Sequence, residues 1–465
     1  MKYFNSRAAV VAVMLAACIS THAQKAASRG VNERDVRAEM QFLAGDAMQG
    51  RGSGTQFERI AAEYIGSQFW QFGLEPAGEN GWNGKPTFVQ TVTITRNSFA
   101  EPPTLKFADT TLVHGKDMIV LRTNTASAGG AVQLLERGAT PRAAAAVLLR
   151  AKDGEDQRSA MQAAQAMLTG GAAIVLIEEN AQLRANWANF ASRTLGFTAT
   201  NAKPSVIAIV SKAAADQLAA RTDGPVITFD GKLSPPNVQQ TWNAIGKITG
   251  SDPALSSEVI LLSSHLDHLG VRPNNAGDDK IFNGADDDAS GSIAVLEMAR
   301  VLGRAPKPKR TVYFVCFGSE EAGGYGATYF VNNLPFPKDK FVANLEFEMI
   351  GRPDDKVKPD ELWLTGYERS NLGPELAKRG AKLVQDPHPE ENFFQRSDNI
   401  TLARQGIIAH TVSSFGLHKD YHRASDEIRT IDFEHMTRSI NSMVAPVEWL
   451  VNSNFKPTWN DGKRP

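Results

Sequence analysis

Val259-Ile260-Leu261-Leu262-Ser263-Ser264-His265-Leu266-Asp267-His268-Leu269-Gly270 is an apolar run that ends in two histidines and an aspartate. Its four consecutive aliphatic residues do not alternate with polar ones, which predicts a strand buried on both faces by helices. Thr311 to Phe317 repeats the pattern and ends in Gly318-Ser319-Glu320-Glu321. Between the two runs, Ser290 to Leu302 reads as a helix, with Asp288 or Ser290 as its cap and Gly303 as its stop. Strands and helices alternate in this way from Val238 to about Asn452, which predicts an α/β layered fold.

Upstream, residues 32–73 carry two helical patterns. The second places Phe57, Ile60, Ala61, Tyr64, Ile65 and Phe72 on one face, with Gly73 as the stop. Phe88 to Thr95 reads as a strand, and Glu101-Pro102-Pro103 marks a boundary. From there to Lys232 the composition turns rich in alanine. Short strands at Ala145 to Arg150 and Ala173 to Glu178 flank a helix at Ser159 to Leu168, and Ser234-Pro235-Pro236-Asn237 closes the block. The expected organisation is a domain inserted at 101–235, about 130 residues, into a larger one made of 30–100 and 236–455.

Lys and Arg number 50 against 51 Asp and Glu in 465 residues, so no basic field exists to hold a nucleic-acid backbone. Hydrophobic residues at 42% and charged ones at 22% exclude a disordered chain. Two cysteines exclude a disulfide scaffold, and Cys316, inside an apolar strand, reads as an inert core thiol. At the start, Lys2 and Arg7 accompany the apolar stretch Ala8 to Ala17, the pattern of an export signal. That stretch is too short to span a bilayer, and no later one is long enough. Two processing sites compete. Thr21-His22-Ala23 would end a signal peptide at residue 23, whereas Leu15-Ala16-Ala17-Cys18 resembles a lipobox that would place a lipid anchor on Cys18. The expected location is periplasmic or secreted, or the outer membrane for a lipoprotein.

Polar clusters sit at the ends of the predicted elements, where open α/β sheets place their ligands. They are Ser264 to Gly270, Asn283-Gly284-Ala285-Asp286-Asp287-Asp288, Glu320-Glu321, Glu346-Phe347-Glu348-Met349-Ile350-Gly351-Arg352, and Asp420-Tyr421-His422. Each alone has a plain reading. An H-x-D pair is often a surface turn, three aspartates favour a helix dipole, and Tyr-His can be a packed loop. Carboxylates that converge in one cleft, however, repel one another unless a cation compensates. Imidazoles among them favour zinc over calcium.

Together the clusters resemble the zinc peptidases of the M28 type, the bacterial leucyl aminopeptidases and glutamate carboxypeptidase relatives. Gln49-Gly50-Arg51 and Gly73-Leu74-Glu75-Pro76-Ala77-Gly78 are similar to that family's N-terminal segment. The block 101–235 resembles a protease-associated (PA) domain. The resemblance implies a three-layer core, with a central mostly parallel or mixed sheet flanked by helices, plus a smaller α+β insert. It implies two zinc ions per chain. His265 and Glu348 would hold the first, Glu321 and His422 the second, and Asp286 would bridge them. Asp267 would orient the His265 ring, Glu320 would be the general base, and Tyr421 would hydrogen-bond the tetrahedral oxyanion. Most members have Asp where Glu348 stands, and Glu346, on the same strand face, competes for that place. Asn392 to Asn399, with Arg396-Ser397-Asp398, resembles a segment near the family's substrate pocket.

The activity implied is that of an exopeptidase on peptide substrates, first an aminopeptidase, using water held between the zinc ions and Glu320 as base. A carboxypeptidase or dipeptidase of the same fold is the alternative within the enzymes. A one-zinc glutaminyl cyclase fits less well, because all five metal positions are filled. A non-catalytic protein that binds through the PA-like block would be expected to lack a ligand or the base, and none is missing.

Overall fold

A computed structural model describes residues 30–192, 195–198, 203–221 and 224–465. The export signal, Cys18 and Ala23 lie outside the described residues. The described residues form two compact units, one of those in 30–92 with 240–465 and one of those in 93–239. The second unit thus begins eight residues before the Pro-rich boundary expected at 101 and ends four after 235. Backbone pairing continues on both sides of the prolines. The chain leaves along the strand Val89–Ser98 and returns along β1 (Asn237–Ile248).

In the first unit, β2 (Val259–His265), β3 (Thr311–Phe317), β4 (Phe341–Phe347), β5 (Leu362–Leu364), β6 (Leu383–Gln385) and β7 (Ala409–Ser413) join β1 in the order β6-β5-β7-β4-β2-β3-β1. The centre is parallel. His265 at the end of β2 lies opposite Phe317 at the end of β3, and Ser263 opposite Glu346 of β4. β1 runs antiparallel to β3, and β5 antiparallel to β7. Four parallel strands, β7, β4, β2 and β3, therefore deliver their carboxyl ends to one edge of the sheet.

Burial explains the unbroken apolar runs. Ile260, Leu262, Val312, Phe314, Ala343 and Leu345 point to one layer. There they pack on α1 (Glu33–Leu43), α2 (Gln56–Gln71), α3 (Gly291–Arg304) and α4 (Phe433–Asn452). Val259, Leu261, Tyr313, Val315 and Phe317 point to the other, against Ala327, Phe330, Leu402 and Ala403. Strands with two apolar faces show no period of two. Cys316 is buried in β3, and burial pushes its thiol up to about 12, which keeps it unreactive at neutral pH.

Two local expectations change. α3 runs through Gly303 to Arg304, because the glycine is there to admit the Phe72 carbonyl, which a Cβ would strike. On α2 the buried face is Glu58, Ala61, Ala62, Ile65 and Phe69, while Ile60 is exposed. Periodicity missed the inward Glu58 because its carboxylate is satisfied by the Thr241 hydroxyl and by the Gly54 and Ser319 amides.

The second unit has an eight-stranded sheet in which Ser127–Leu134, Ala146–Leu149, Ile174–Glu178 and Val206–Val210 run parallel. Leu148, Leu176 and Val206 serve one core, and Val147, Val175 and Ile207 the other. No helix among the described residues is long and apolar enough to cross a membrane.

Phe314 is fully buried, its ring 6.2 Å from that of Phe69. Phe314→Ala is expected to cost about 3–5 kcal/mol, the range for removing a buried aromatic ring. A denaturant titration that moved by less than about 1 kcal/mol would contradict this account of the core.

Candidate metal centre

The carboxyl edge of the sheet carries the polar clusters, and buried hydrogen bonds hold them there. Arg51 is buried and donates from Nε to the Leu266 carbonyl (2.8 Å), from Nη1 to Leu43 and Asn283, and from Nη2 to Gly284 (2.9 Å). One guanidinium thus ties the loop after β2 to the turn before α3. A planar fork with several donors can do this where an ammonium cannot.

That turn begins at Gly284, whose φ of 59° is left-handed, and its three aspartates then point three ways. Asp286 accepts from the Gly351 amide (2.8 Å), and His418 Nε2 sits 2.9 Å from its other oxygen. Asp288 turns back to accept from the amides of His265, Gly291 and Met349. Asp287 faces His265, His268 and His422. Its Oδ1 is 3.2 Å from His265 Nε2, and its Oδ2 is 3.2 Å from His422 Nε2 and 3.7 Å from His268 Nδ1. The expectation that Asp286 lies between both groups is therefore corrected by one residue. The irregular turn sends neighbouring side chains in different directions, and Asp426, by accepting from the amides of Asp286 and Asp287, locks that arrangement.

Two donor groups result, His265 with Asp287 and Glu348, and His268 with Asp287 and Glu321. Glu348 Oε1 is 3.9 Å from His265 Nε2. Glu346 is held elsewhere, since its carboxylate accepts from the Asn399 amide and the Thr411 hydroxyl. Glu321 Oε1 lies 2.8 Å from His268 Nδ1, and its Oε2 lies 3.2 Å from His422 Nε2. His422 reaches the group from a loop and is 38% exposed, in contrast to the buried His265 and His268.

Burial raises a carboxyl, yet the three imidazoles hold Asp287 well below the usual range. Burial lowers His422, but Asp287 and Glu321 outweigh it and bring it up to about 10. Burial raises Glu320, and Asp398, Glu348 and Glu321 raise it further against the pull of His265.

The donor atoms fit a divalent ion. His265 Nε2, both ring nitrogens of His268, Asp287 Oδ2 and Glu321 Oε1 are buried without a hydrogen-bond partner. Orphaned polar atoms are costly unless something else engages them. Ligands at about 2.0–2.1 Å from a tetrahedral zinc lie roughly 3.3 Å from each other. The measured separations of 2.8 to 3.9 Å bracket that value.

Glu320 belongs to neither group. Its amide donates to Asp267 Oδ1 (3.0 Å), and Ser53 donates to Asp267 Oδ2. The Asp267 carboxylate is 3.8 Å from His265 Nδ1, which faces the Asp267 carbonyl at 3.2 Å instead. Asp267 thus anchors Glu320, while its main chain faces the His265 ring. Tyr421 stacks on His422 with ring centroids 3.9 Å apart, and burial raises its hydroxyl. It lines a pocket with Glu348, Trp363, Phe393, Ser397 and Phe415. Arg396 and Ser397 line the same pocket, and Asp398 is buried beside it with both oxygens unpartnered.

Sequence reasoning missed Asp287, His268, Arg51, Glu58 and Asp426. The signals present were a second histidine three positions after His265, the place of Asp287 in the aspartate run, and that of Arg51 in Gln49-Gly50-Arg51.

Residues 243–446 match the model of peptidase family M28. The chain is 27% identical over 257 residues to leupeptin-inactivating enzyme 1 of Streptomyces exfoliatus, which covers 52% of this chain and 56% of that protein. It is 37% identical over 116 residues to an aminopeptidase of Pseudomonas aeruginosa (strain UCBPP-PA14), 25% of this chain and 19% of that one. The alignments therefore span about half of the first relative's length and a fifth of the second's. The solved structure of an aminopeptidase from Aneurinibacillus sp. strain AM-1 is similar with a TM-score of 0.51 at 18% identity, covering 91% of this chain and 95% of that one. At that identity the likeness establishes the α/β fold.

Proposed function

Residues 243–446 belong to peptidase family M28, and from that premise we propose that the protein is an exported di-zinc metallo-exopeptidase, an aminopeptidase. The observation that carries the reading is Asp287, whose two oxygens face separate groups of buried donors. His265, Asp287 and Glu348 would hold one zinc, and Asp287, Glu321 and His422 the other. Two such ions supply Lewis acidity to the scissile carbonyl and acidify water at neutral pH.

The chain's own residues do the rest. Glu320, free of both donor groups, accepts the proton of the attacking water and delivers it to the leaving amine. Asp267, which accepts from the Ser53 hydroxyl, holds Glu320 in place through its amide. Tyr421, beside His422, donates its hydroxyl hydrogen to the developing oxyanion. The peptide's first residue enters the pocket lined by Trp363, Phe393 and Phe415.

An amino end is favoured over a carboxyl end by charge. Burial first, then Asp398, Glu348 and Glu321, raises Glu320, and burial with Asp267 and Glu348 brings Asp398 up to about 8, so both carboxyls gain from a cation that restores their ionised form. Such a group attracts an α-ammonium and repels an α-carboxylate. Export, through cleavage after Ala23 or lipidation of Cys18, and a PA-like character of the block 101–235 complete the proposal.

The test is hydrolysis of paired reporters. Free aminoacyl anilides should be cleaved, and their N-acetylated forms should not. Cleavage restricted to blocked peptides with a free carboxyl end would reassign the protein to the carboxypeptidases.

A further inference from the structure

We propose that His268 is itself a metal ligand, through Nδ1, so that the second position is built from two imidazoles and two carboxylates. The inference rests on the two-ion reading above. His268 is 1% exposed, and both of its ring nitrogens lack a hydrogen-bond partner. An imidazole buried in that way must engage something, because an orphaned donor and acceptor inside a protein each carry a desolvation cost.

Its nearest neighbour is Glu321 Oε1, 2.8 Å from Nδ1. Neither of these two atoms has a partner in hydrogen-bond geometry, despite that separation. Close approach without alignment is what two lone pairs give when both are aimed at a common third point. His265 Nε2 and Asp287 Oδ1 at 3.2 Å show the same signature in the first group, the imidazole nitrogen again being without a partner. Asp287 Oδ2, also unpartnered, lies 3.7 Å from His268 Nδ1 and closes the triangle.

The two positions are then unequal. The first draws on one imidazole, His265, with Asp287 and Glu348. The second draws on His268, Glu321, Asp287 and the more exposed His422, whose ring meets that of His268 edge-on at 5.8 Å. Nitrogen-rich sites select zinc and its neighbours, whereas carboxylate-rich sites tolerate manganese or magnesium. The second position should therefore hold zinc more tightly, and removal of His422 alone should leave an imidazole in place.

Metal content of the full chain, measured after equilibration with graded zinc chelator, tests this on wild type, His268→Asn, His422→Ala and the double variant. Each single variant should weaken the second ion, His268→Asn by at least about 100-fold, beyond the usual effect of groups that only support a ligand. The double variant should keep one ion. Wild-type affinity in His268→Asn, with the second ion lost from His422→Ala alone, would overturn the proposal. If His268→Asn does not fold, wild-type protein loaded with cobalt(II) and ring-labelled histidine gives the answer without a variant. Three of the nine histidines should then show hyperfine-shifted resonances, and a count of two overturns it. Wild type that takes up no second ion refutes the two-ion reading first, and this inference with it.

Discussion

Asp287→Ala is expected to release metal from both positions and to lower hydrolysis by at least about 10⁴-fold, the scale on which a member of a cooperating catalytic unit acts. Its Oδ1 faces His265 and its Oδ2 faces His268 and His422, so one truncation removes an oxygen from each group. What remains would be His265 with Glu348 on one side and Glu321 with His268 and His422 on the other. Asp286→Ala is the matched control. Its carboxylate accepts from the Gly351 amide and pairs with His418, away from both groups. Loss of a buried acceptor there should cost about 1–3 kcal/mol of stability, with both ions retained. Zinc content and denaturation midpoints on the two variants separate the outcomes. Retention of two ions by Asp287→Ala, with loss from Asp286→Ala, would return the bridging role to Asp286.

Glu320→Ala should lower kcat by about 10²–10⁴-fold, the usual contribution of a general base, while zinc content stays near that of wild type. The structure separates the doublet that charge alone could not. Glu321 turns both oxygens toward imidazoles, Oε1 to His268 and Oε2 to His422. Glu320 is anchored by its amide to Asp267, and its carboxyl, raised first by burial, lies outside both donor groups. Glu321→Ala should accordingly lose the second ion. Side-by-side zinc stoichiometry and kcat decide the matter, and a Glu320→Ala protein that loses a metal while Glu321→Ala keeps two would reverse the roles.

The layered α/β frame was legible because its signal is local. β2 and β3 are unbroken apolar runs, since helices cover both faces, and the polar clusters follow them directly in the chain. The prolines and alanine content set the expected insert at 101–235, whereas the two compact units divide at 93 and 239. Prolines interrupt backbone pairing only where they stand, and the strands flanking the insert extend past that point.

Less was legible where the chain is irregular. Three adjacent aspartates offer no period from which to choose one, and His268 in the H-x-D-H run is as compatible with a surface turn as with a ligand. Glu58 broke the amphipathic pattern of α2 for partners at Thr241 and Ser319, far along the chain. Arg51 joins two loops through four carbonyls that no motif ties to it.

The sequence by itself determined the order of strands and helices, the residue types available at the ends of β2, β3 and β4, and hence a chemistry of imidazoles and carboxylates. Periodicity and residue type are properties of short stretches, readable without knowing what packs against them. Only the tertiary structure decided that Asp287 rather than Asp286 faces the histidines, that Glu348 rather than Glu346 joins His265, and that His268 turns inward. Those choices depend on the direction of single side chains. That direction is set by long-range hydrogen bonds: Asp426 accepts from the amides of the aspartate turn, the Gly351 amide donates to Asp286, and the Asn399 amide donates to Glu346.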